Sequence, residues 1–297
     1  MQEKFQRFDP RIHMLRRNFE IFHYREPLLD TGEVHHHDFY EIYFLLEGSV
    51  SYWVEGQNYH LKPGDIILIN PMVLHRPVLE RGGFVYERIV LWIEKPFLES
   101  LSQGGARLFD CFEGPLSVKT NILRLNPTQQ KELLSALKLL VKESYSEDYG
   151  AEAFAIGILM QLMVSLNRIS LNYGTKPDGD ESASVVSEVM AYIREHYGEE
   201  LSLESLAQRF FVSKYHLSHE FSRAVGTSIH RYITLRRILA AKQLLSEGIS
   251  ATEAAVRCGF KDYTGFYRAF KSECGISPRD FCLDRAEKKQ TVVYHTN

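Results

Sequence analysis

The sequence predicts an α+β chain of two domains: an N-terminal antiparallel β-barrel with a helical hairpin, then an all-α domain. Three observations carry this. The chain has 297 residues, more than one typical domain of about 100–200 residues. Between Phe19 and Ile93, β-branched and aromatic runs alternate with turn signals. Beyond residue 126, apolar residues recur at helical spacing instead. Hydrophobic residues make up 44% and charged residues 25% of the chain, a globular composition that excludes collagen-like, coiled-coil and disordered classes.

Residues 1–126 form the expected barrel. The turn signals are EGS at 47–49, EGQN at 55–58, KPGD at 62–65, NP at 70–71 and RGG at 81–83. Their spacing of about 8–12 residues fits short antiparallel strands without crossover helices. Residues 127–171 read as the hairpin. Pro127 opens a helix carrying Leu133, Leu134, Leu137 and Leu140, and a second helix carries Phe154, Ile158, Leu159, Leu162, Met163 and Leu166, with the join near Glu147–Gly150. The second helix is apolar on nearly every face, which fits a homodimer interface or packing between the two domains.

Its most apolar stretch, Ala153 to Val164, contains Gln161 and falls short of the roughly 20 residues of a bilayer span. No membrane segment is expected. Residues 172–182, NYGTKPDGDES, have a linker's composition. The four cysteines Cys111, Cys258, Cys274 and Cys282 form no CxxC pair, and the N-terminal MQEKFQRFDPRIHMLRR lacks an apolar signal region. A reducing cytoplasm is the expected location.

Residues 183–297 carry a net charge of +3 against −6 for the remainder, which suits a polyanion partner for the C-terminal half. Within 183–285 the chain repeats itself. SLESLAQRFFVSKYHLSHEFSRAVG from Ser202 aligns with SATEAAVRCGFKDYTGFYRAFKSECG from Ser250, with one residue inserted in the second turn. Ala207 matches Ala255, Leu217 matches Phe266, Phe221 matches Phe270 and Gly226 matches Gly275. Each copy reads as a Ser-capped helix, a turn with a new cap (Ser213, Asp262), a second helix and a glycine stop. That is helix-turn-helix twice, with Leu217/Phe221 and Phe266/Phe270 facing inward. The outward faces then carry polar and aromatic side chains suited to base edges in a major groove.

The segment RILAAKQLLSEGISATEAAVRCGFKDYTGFYRAFKSECGISPRDF, Arg237 to Phe281, resembles the signature of the AraC/XylS family of bacterial transcription regulators. The resemblance covers Ser184 to about Arg285, leaving 286–297 as a tail. It implies a seven-helix domain with a long helix, here about Ile229 to Ser246, between the two units, and both recognition helices in successive major grooves. By position it assigns base reading to Tyr215, Ser218 and His219 in the first recognition helix and to Tyr263, Thr264, Tyr267 and Arg268 in the second. Lys214, Arg223, Lys261 and Lys271 are the expected phosphate contacts. The sequence departs from the family pattern at His219 and Cys282, where arginine is usual, and at Gly265, where an aromatic is common.

In the N-terminal half, His35, His37 and Glu41 followed by Gly48 resemble the first cupin motif, and PGD at 63–65 followed by His75 resembles the second. In metal-binding cupins such positions supply three imidazoles and a carboxylate to a divalent metal. Strand alternation puts His35 and His37 on one face and turns His36 outward. Two readings stay open: a metal held by His35, His37, Glu41 and His75, or a metal-free effector pocket in which they bond a small molecule directly. The metal-free pocket, requiring no cofactor, is preferred, with Tyr43, Trp53, Arg88 and Trp92 as further lining residues. Sugar rings stack on such aromatics while their hydroxyls bond Arg, His and Glu.

The expected function is a sequence-specific regulator, an activator by resemblance, that binds double-stranded promoter DNA, recruits RNA polymerase, works as a homodimer and answers to a sugar or sugar derivative. A metallo-cupin enzyme and a ligand-independent regulator controlled by a protein partner are the rivals. No P-loop, Rossmann fingerprint or nucleophile elbow supports an enzyme.

Overall fold

The computed structural model describes residues 5–6, 8, 11, 13–27, 32–79, 85–102, 104–113, 121–172 and 184–283. The chain divides into two compact units, Met1–Glu181 and Ser182–Asn297. The expected linker lies almost wholly outside the described residues, as do the RGG turn and the tail.

In the first unit, strands β1 (Phe19–Pro27), β2 (Phe39–Glu47), β3 (Val50–Val54), β4 (Gln57–Leu61), β5 (Ile66–Ile69), β6 (His75–Leu79), β7 (Val85–Glu94) and β8 (Ile122–Leu123) build two antiparallel sheets. The larger runs β1-β7-β2-β5-β8 and the smaller β4-β3-β6. Both faces of the larger sheet are buried, which explains why β2 and β7 read as near-continuous apolar runs rather than as clean alternation.

One face, with Ile42, Phe44, Leu68 and Leu91, packs against helices α3 (Pro127–Ser144) and α4 (Ala151–Asn172). Short helices α1 (Lys95–Ser100) and α2 (Asp110–Glu113) complete that layer. The other face, with Phe22, Tyr43, Ile67 and Trp92, meets Val50, Tyr52 and Val54 of the smaller sheet and forms the interior. Asn126 caps α3 through a capping box with Gln129, and Pro127 occupies the first turn, where its missing N–H costs nothing.

The second unit contains α5 (Val185–His196), α6 (Leu203–Arg209), α7 (Lys214–Val225), α8 (Ile229–Ser246), α9 (Ala251–Arg257) and α10 (Tyr263–Cys274), with a last helical segment at 278–283. Both expected repeats are present as helix-turn-helix pairs. Ser202, Ser213, Ser250 and Asp262 each accept the anticipated backbone N–H at a helix start. Gly226 and Gly275 end the second helices at φ 82° and 72°, where a side chain would meet its own carbonyl. Leu217, Phe221, Phe266 and Phe270 are fully buried, as the alignment requires.

Candidate functional site

The interior of the first unit is lined by side chains of one parity on each strand. Register sets Glu41 opposite Trp92 and Tyr43 opposite Val90, and β1 brings Tyr24 opposite Arg88. Glu41 is the centre of a buried polar network. Its Oε1 accepts the Tyr52 hydroxyl at 2.9 Å and its Oε2 accepts the Trp92 indole N–H at 2.8 Å. His37 Nε2 stands 3.4 Å from the same Oε2.

His37, Glu41 and His75 gather their ligand atoms within 4.8 Å of one another. The Nδ1 of His37 bonds the Phe39 carbonyl at 2.9 Å and that of His75 bonds the Val73 carbonyl at 2.8 Å. A carbonyl only accepts, so each Nδ1 carries a proton, and in the neutral ring that burial favours for His75 the Nε2 presents a lone pair. Neither Nε2 makes a hydrogen bond.

Burial opposes the charge on Glu41, but the His37, His75 and His35 rings and the donors around it hold its carboxyl well below the usual carboxylate range. Burial, reinforced by the neighbouring imidazoles, pushes His75 well below the ordinary histidine value. Burial also lowers His35. The site at neutral pH therefore holds a carboxylate among imidazoles, with the charged forms of His75 and His35 disfavoured by burial. Such a set accepts hydrogen bonds from ligand hydroxyls, and it also matches the donors a divalent metal takes.

Two expectations need correction here. The residues before Phe39 are not regular strand: His35 forms only an isolated bridge with His75, and His36 is 4% exposed rather than turned outward. His35 lies outside the tight group, its ring edge-on to His75 at 4.3 Å and 6.3 Å from His37. The four-residue set is thus three residues with a neighbour.

Of the other expected lining residues, Tyr43, Arg88 and Trp92 point into the interior. Tyr43 and Tyr86 share a hydroxyl–hydroxyl bond of 2.5 Å. Arg88 donates to Glu26 at 2.8 Å and lies 4.0 Å over the Tyr86 ring, and its Nη1 has no hydrogen-bond partner. Trp53 does not join them. It shares the opposite parity of β3 with Ser51, which bonds His60, and Tyr52 takes the interior place. The valines at 50 and 54 mark that inner parity, and the serine at 51 marks the outer one.

Arg11 was also missed. It pairs with Glu20 at 2.7 Å and covers the Phe22 and Trp92 rings at 5.2 Å. Glu20 and Phe22 lie within eleven residues of Arg11, but Trp92 is 81 positions away, and irregular chain ahead of β1 carries no periodicity that would mark the contact.

In the second unit, Tyr215, His219, Tyr263, Thr264 and Arg268 are exposed, and Ser218 and Tyr267 are partly buried. Tyr215 stacks on His219 at 6.2 Å along one face of α7. Of the four expected phosphate contacts, three already hold a carboxylate: Lys214 with Glu204 at 2.9 Å, Lys261 with Glu200 at 3.4 Å, and Arg223 with Glu220. Among the described residues, Lys271 and Arg268, the latter an expected base reader, make no ion pair.

Comparison with known proteins bears on both units. Residues 206–283 match a helix-turn-helix domain family, and residues 18–163 match the AraC-like ligand binding domain. The HTH-type transcriptional activator RhaS of Salmonella schwarzengrund (strain CVM19633) is 29% identical over 250 residues, covering 83% of this chain and 86% of that protein. Its counterpart in Salmonella arizonae shows the same identity and coverage. Among solved structures, fatty-acid-bound ToxT from Vibrio cholerae strain SCE256 aligns over 91% of this chain and 97% of that one, at 16% identity and a TM-score of 0.40. That likeness is too low to add to the topology described above.

Proposed function

The chain belongs to the AraC family of DNA-binding transcription regulators, with a ligand-binding domain ahead of a helix-turn-helix domain, and from that premise we propose that it is a cytoplasmic activator responding to a sugar or sugar derivative. The observation that carries the reading is the pair of like-built recognition helices, α7 and α10, each with a buried aromatic or aliphatic seam, and with exposed faces of Tyr, His, Arg and Lys on α7 and of Tyr, Thr, Arg and Lys on α10. Those side chains donate to base edges and phosphates, and Tyr offers a ring to a thymine methyl. Activation, with recruitment of RNA polymerase, is supported by the relatives' own designation as activators.

The effector pocket is the interior around Glu41, Tyr43, Tyr52, His75, Arg88 and Trp92. Its aromatics suit a sugar ring, and its carboxylate, imidazoles and guanidinium suit the hydroxyls. Dimerisation is assigned to α4, whose Phe154 and Leu171 are 54% and 70% exposed. The test of the DNA assignment is Arg268→Ala. It should weaken binding to the specific site by about 1–3 kcal/mol and leave random DNA nearly unaffected. An equal loss on both would make Arg268 a phosphate contact.

One observation favours a second reading of the same pocket. The Nε2 atoms of His37 and His75 are buried and without a hydrogen bond, and Nδ1–H to carbonyl bonds are the usual second support of metal-bound imidazoles. His37, Glu41 and His75 would then hold a divalent metal, which would supply positions for effector hydroxyls. Stoichiometric metal in purified protein, lost in His75→Ala, is the expected result under this reading. Metal-free protein that binds effector with full affinity would remove it.

A further inference from the structure

The two recognition helices reach the DNA from different helix-turn-helix units, and how firmly the units are held to each other decides what spacing of half-sites they accept. A single connection through α8 would leave a hinge. The structure shows a second connection. The segment Tyr197–Glu200, which leads from α5 into α6 and so into the first unit, lies against the turn Arg257–Lys261 of the second unit.

Backbone meets backbone there. A Cβ on Gly198 would lie 2.9 Å from the Arg257 carbonyl oxygen, and one on Gly259 would lie 2.6 Å from the Gly198 oxygen. Gly259 also sits at φ 77°, so glycine is required twice over, by conformation and by space. Arg237 of α8 closes the junction. Its Nε donates to the Tyr197 carbonyl and its Nη2 to the Glu199 carbonyl, both at 2.8 Å. The same guanidinium lies 5.8 Å from the Phe260 ring, which meets Phe266 of α10 edge-on at 5.2 Å. Tyr197 packs on the core of the second unit, and Lys261 pairs with Glu200 at 3.4 Å.

We infer that Arg237 and the Gly198–Gly259 contact are positioning residues that close α8 and the junction into a ring, so that α7 and α10 read two half-sites at one fixed separation. The inference rests on the reading that α7 and α10 are the recognition helices. A change of one base pair between half-sites displaces the second by about 3.4 Å along the duplex and about a tenth of a turn around it. A ring-closed domain cannot follow that displacement, whereas a hinged one can.

The experiment uses the full-length protein and a bipartite duplex selected by it from a random pool, remade with one or two base pairs added to or removed from the spacer. The wild-type protein should lose about 10-fold or more in affinity for each altered spacer. Arg237→Gln should bind the original duplex less tightly, show a flattened dependence on spacing, and bind duplexes carrying either half-site alone as the wild type does. Retention of the lone half-site affinities separates positioning from unfolding. Arg237→Lys, which keeps one donor, should fall between the two profiles. If Arg237→Gln does not fold, Gly259→Ala carries the same comparison with the guanidinium in place, and the wild-type series decides by itself. A wild-type protein that tolerates altered spacers, or a variant that keeps the wild-type profile, overturns the inference. A pool from which no sequence is enriched would instead overturn the DNA-binding reading beneath it.

Discussion

Phe211 is a side chain whose energetics run against its position. It follows α6 in the turn of the first helix-turn-helix pair at φ 55°, and it is 96% exposed. An L-residue in this conformation crowds its Cβ against the carbonyl oxygen, at a cost of roughly 1–2 kcal/mol. Exposure means almost no burial offsets that cost. The repeat puts Gly259 at the same place in the second unit, at φ 77°. Phe211→Gly should therefore raise unfolding stability by about 0.5–1 kcal/mol, the relief of strain exceeding the added freedom of the unfolded chain. Urea denaturation at equilibrium measures it, and a loss of stability would show that the ring has a folded-state partner.

The histidines and aromatics of the interior show what single residues reveal in a sequence and what they hide. Glu41 and His75 are legible because their motifs fix their spacing. Tyr52 against Trp53 is decided by parity, and parity is readable only through the flanking Val50, Ser51 and Val54. The burial of His36 and the position of His35 depend on an isolated bridge to His75, a contact forty residues away that no local pattern encodes.

Among the elements, α7 and α10 follow from sequence almost residue by residue, because caps, seam and glycine stop are all local. The charge state of their surfaces does not. Carboxylates from α6, from the segment before it and from α7 itself hold Lys214, Lys261 and Arg223, and phosphates of a duplex bound there would have to displace them. Exposed pairs of this kind are weak and screened by salt. Glu204→Gln combined with Glu220→Gln should thus strengthen binding to random duplex DNA and steepen the slope of log affinity against log salt by roughly 1–2, as freed cations meet phosphates. An unchanged slope would place Lys214 and Arg223 off the DNA.

Helix α4 illustrates a limit of another kind. At 22 residues it is long and apolar enough to cross a bilayer by length and composition, more than its most apolar stretch suggests. Its Leu159, Leu162, Met163 and Leu166 are nevertheless fully buried in the core of the first unit. Packing, rather than hydropathy, accounts for that face. Phe154 and Leu171 stay exposed and are the side chains the proposed dimer would cover.

At the scale of the whole molecule, the division into Met1–Glu181 and Ser182–Asn297 is not marked by the switch between strand and helix periods near residue 126, which falls inside the first unit ahead of α3 and α4; the composition of residues 172–182 is the signal closest to it. The charge asymmetry between the halves is consistent with it. The coupling between units is a matter of free energy rather than of pattern. An effector that favours one arrangement over another by 1–3 kcal/mol changes DNA affinity by roughly 5–150-fold, and by reciprocity DNA changes effector affinity by the same factor. The polar network around Glu41 is the element an effector would rearrange, since a ligand hydroxyl entering it competes with Tyr52 and Trp92 for the same carboxylate oxygens.

The most direct test of the account is the affinity of the full-length protein for the DNA upstream of its own gene and its neighbours, measured across a salt series with and without a panel of sugars and sugar derivatives. The account predicts sequence-specific binding, with a preference over random DNA that persists as salt rises, and a shift in affinity with at least one member of the panel that Glu41→Gln abolishes. Binding that shows no preference for any sequence would contradict it.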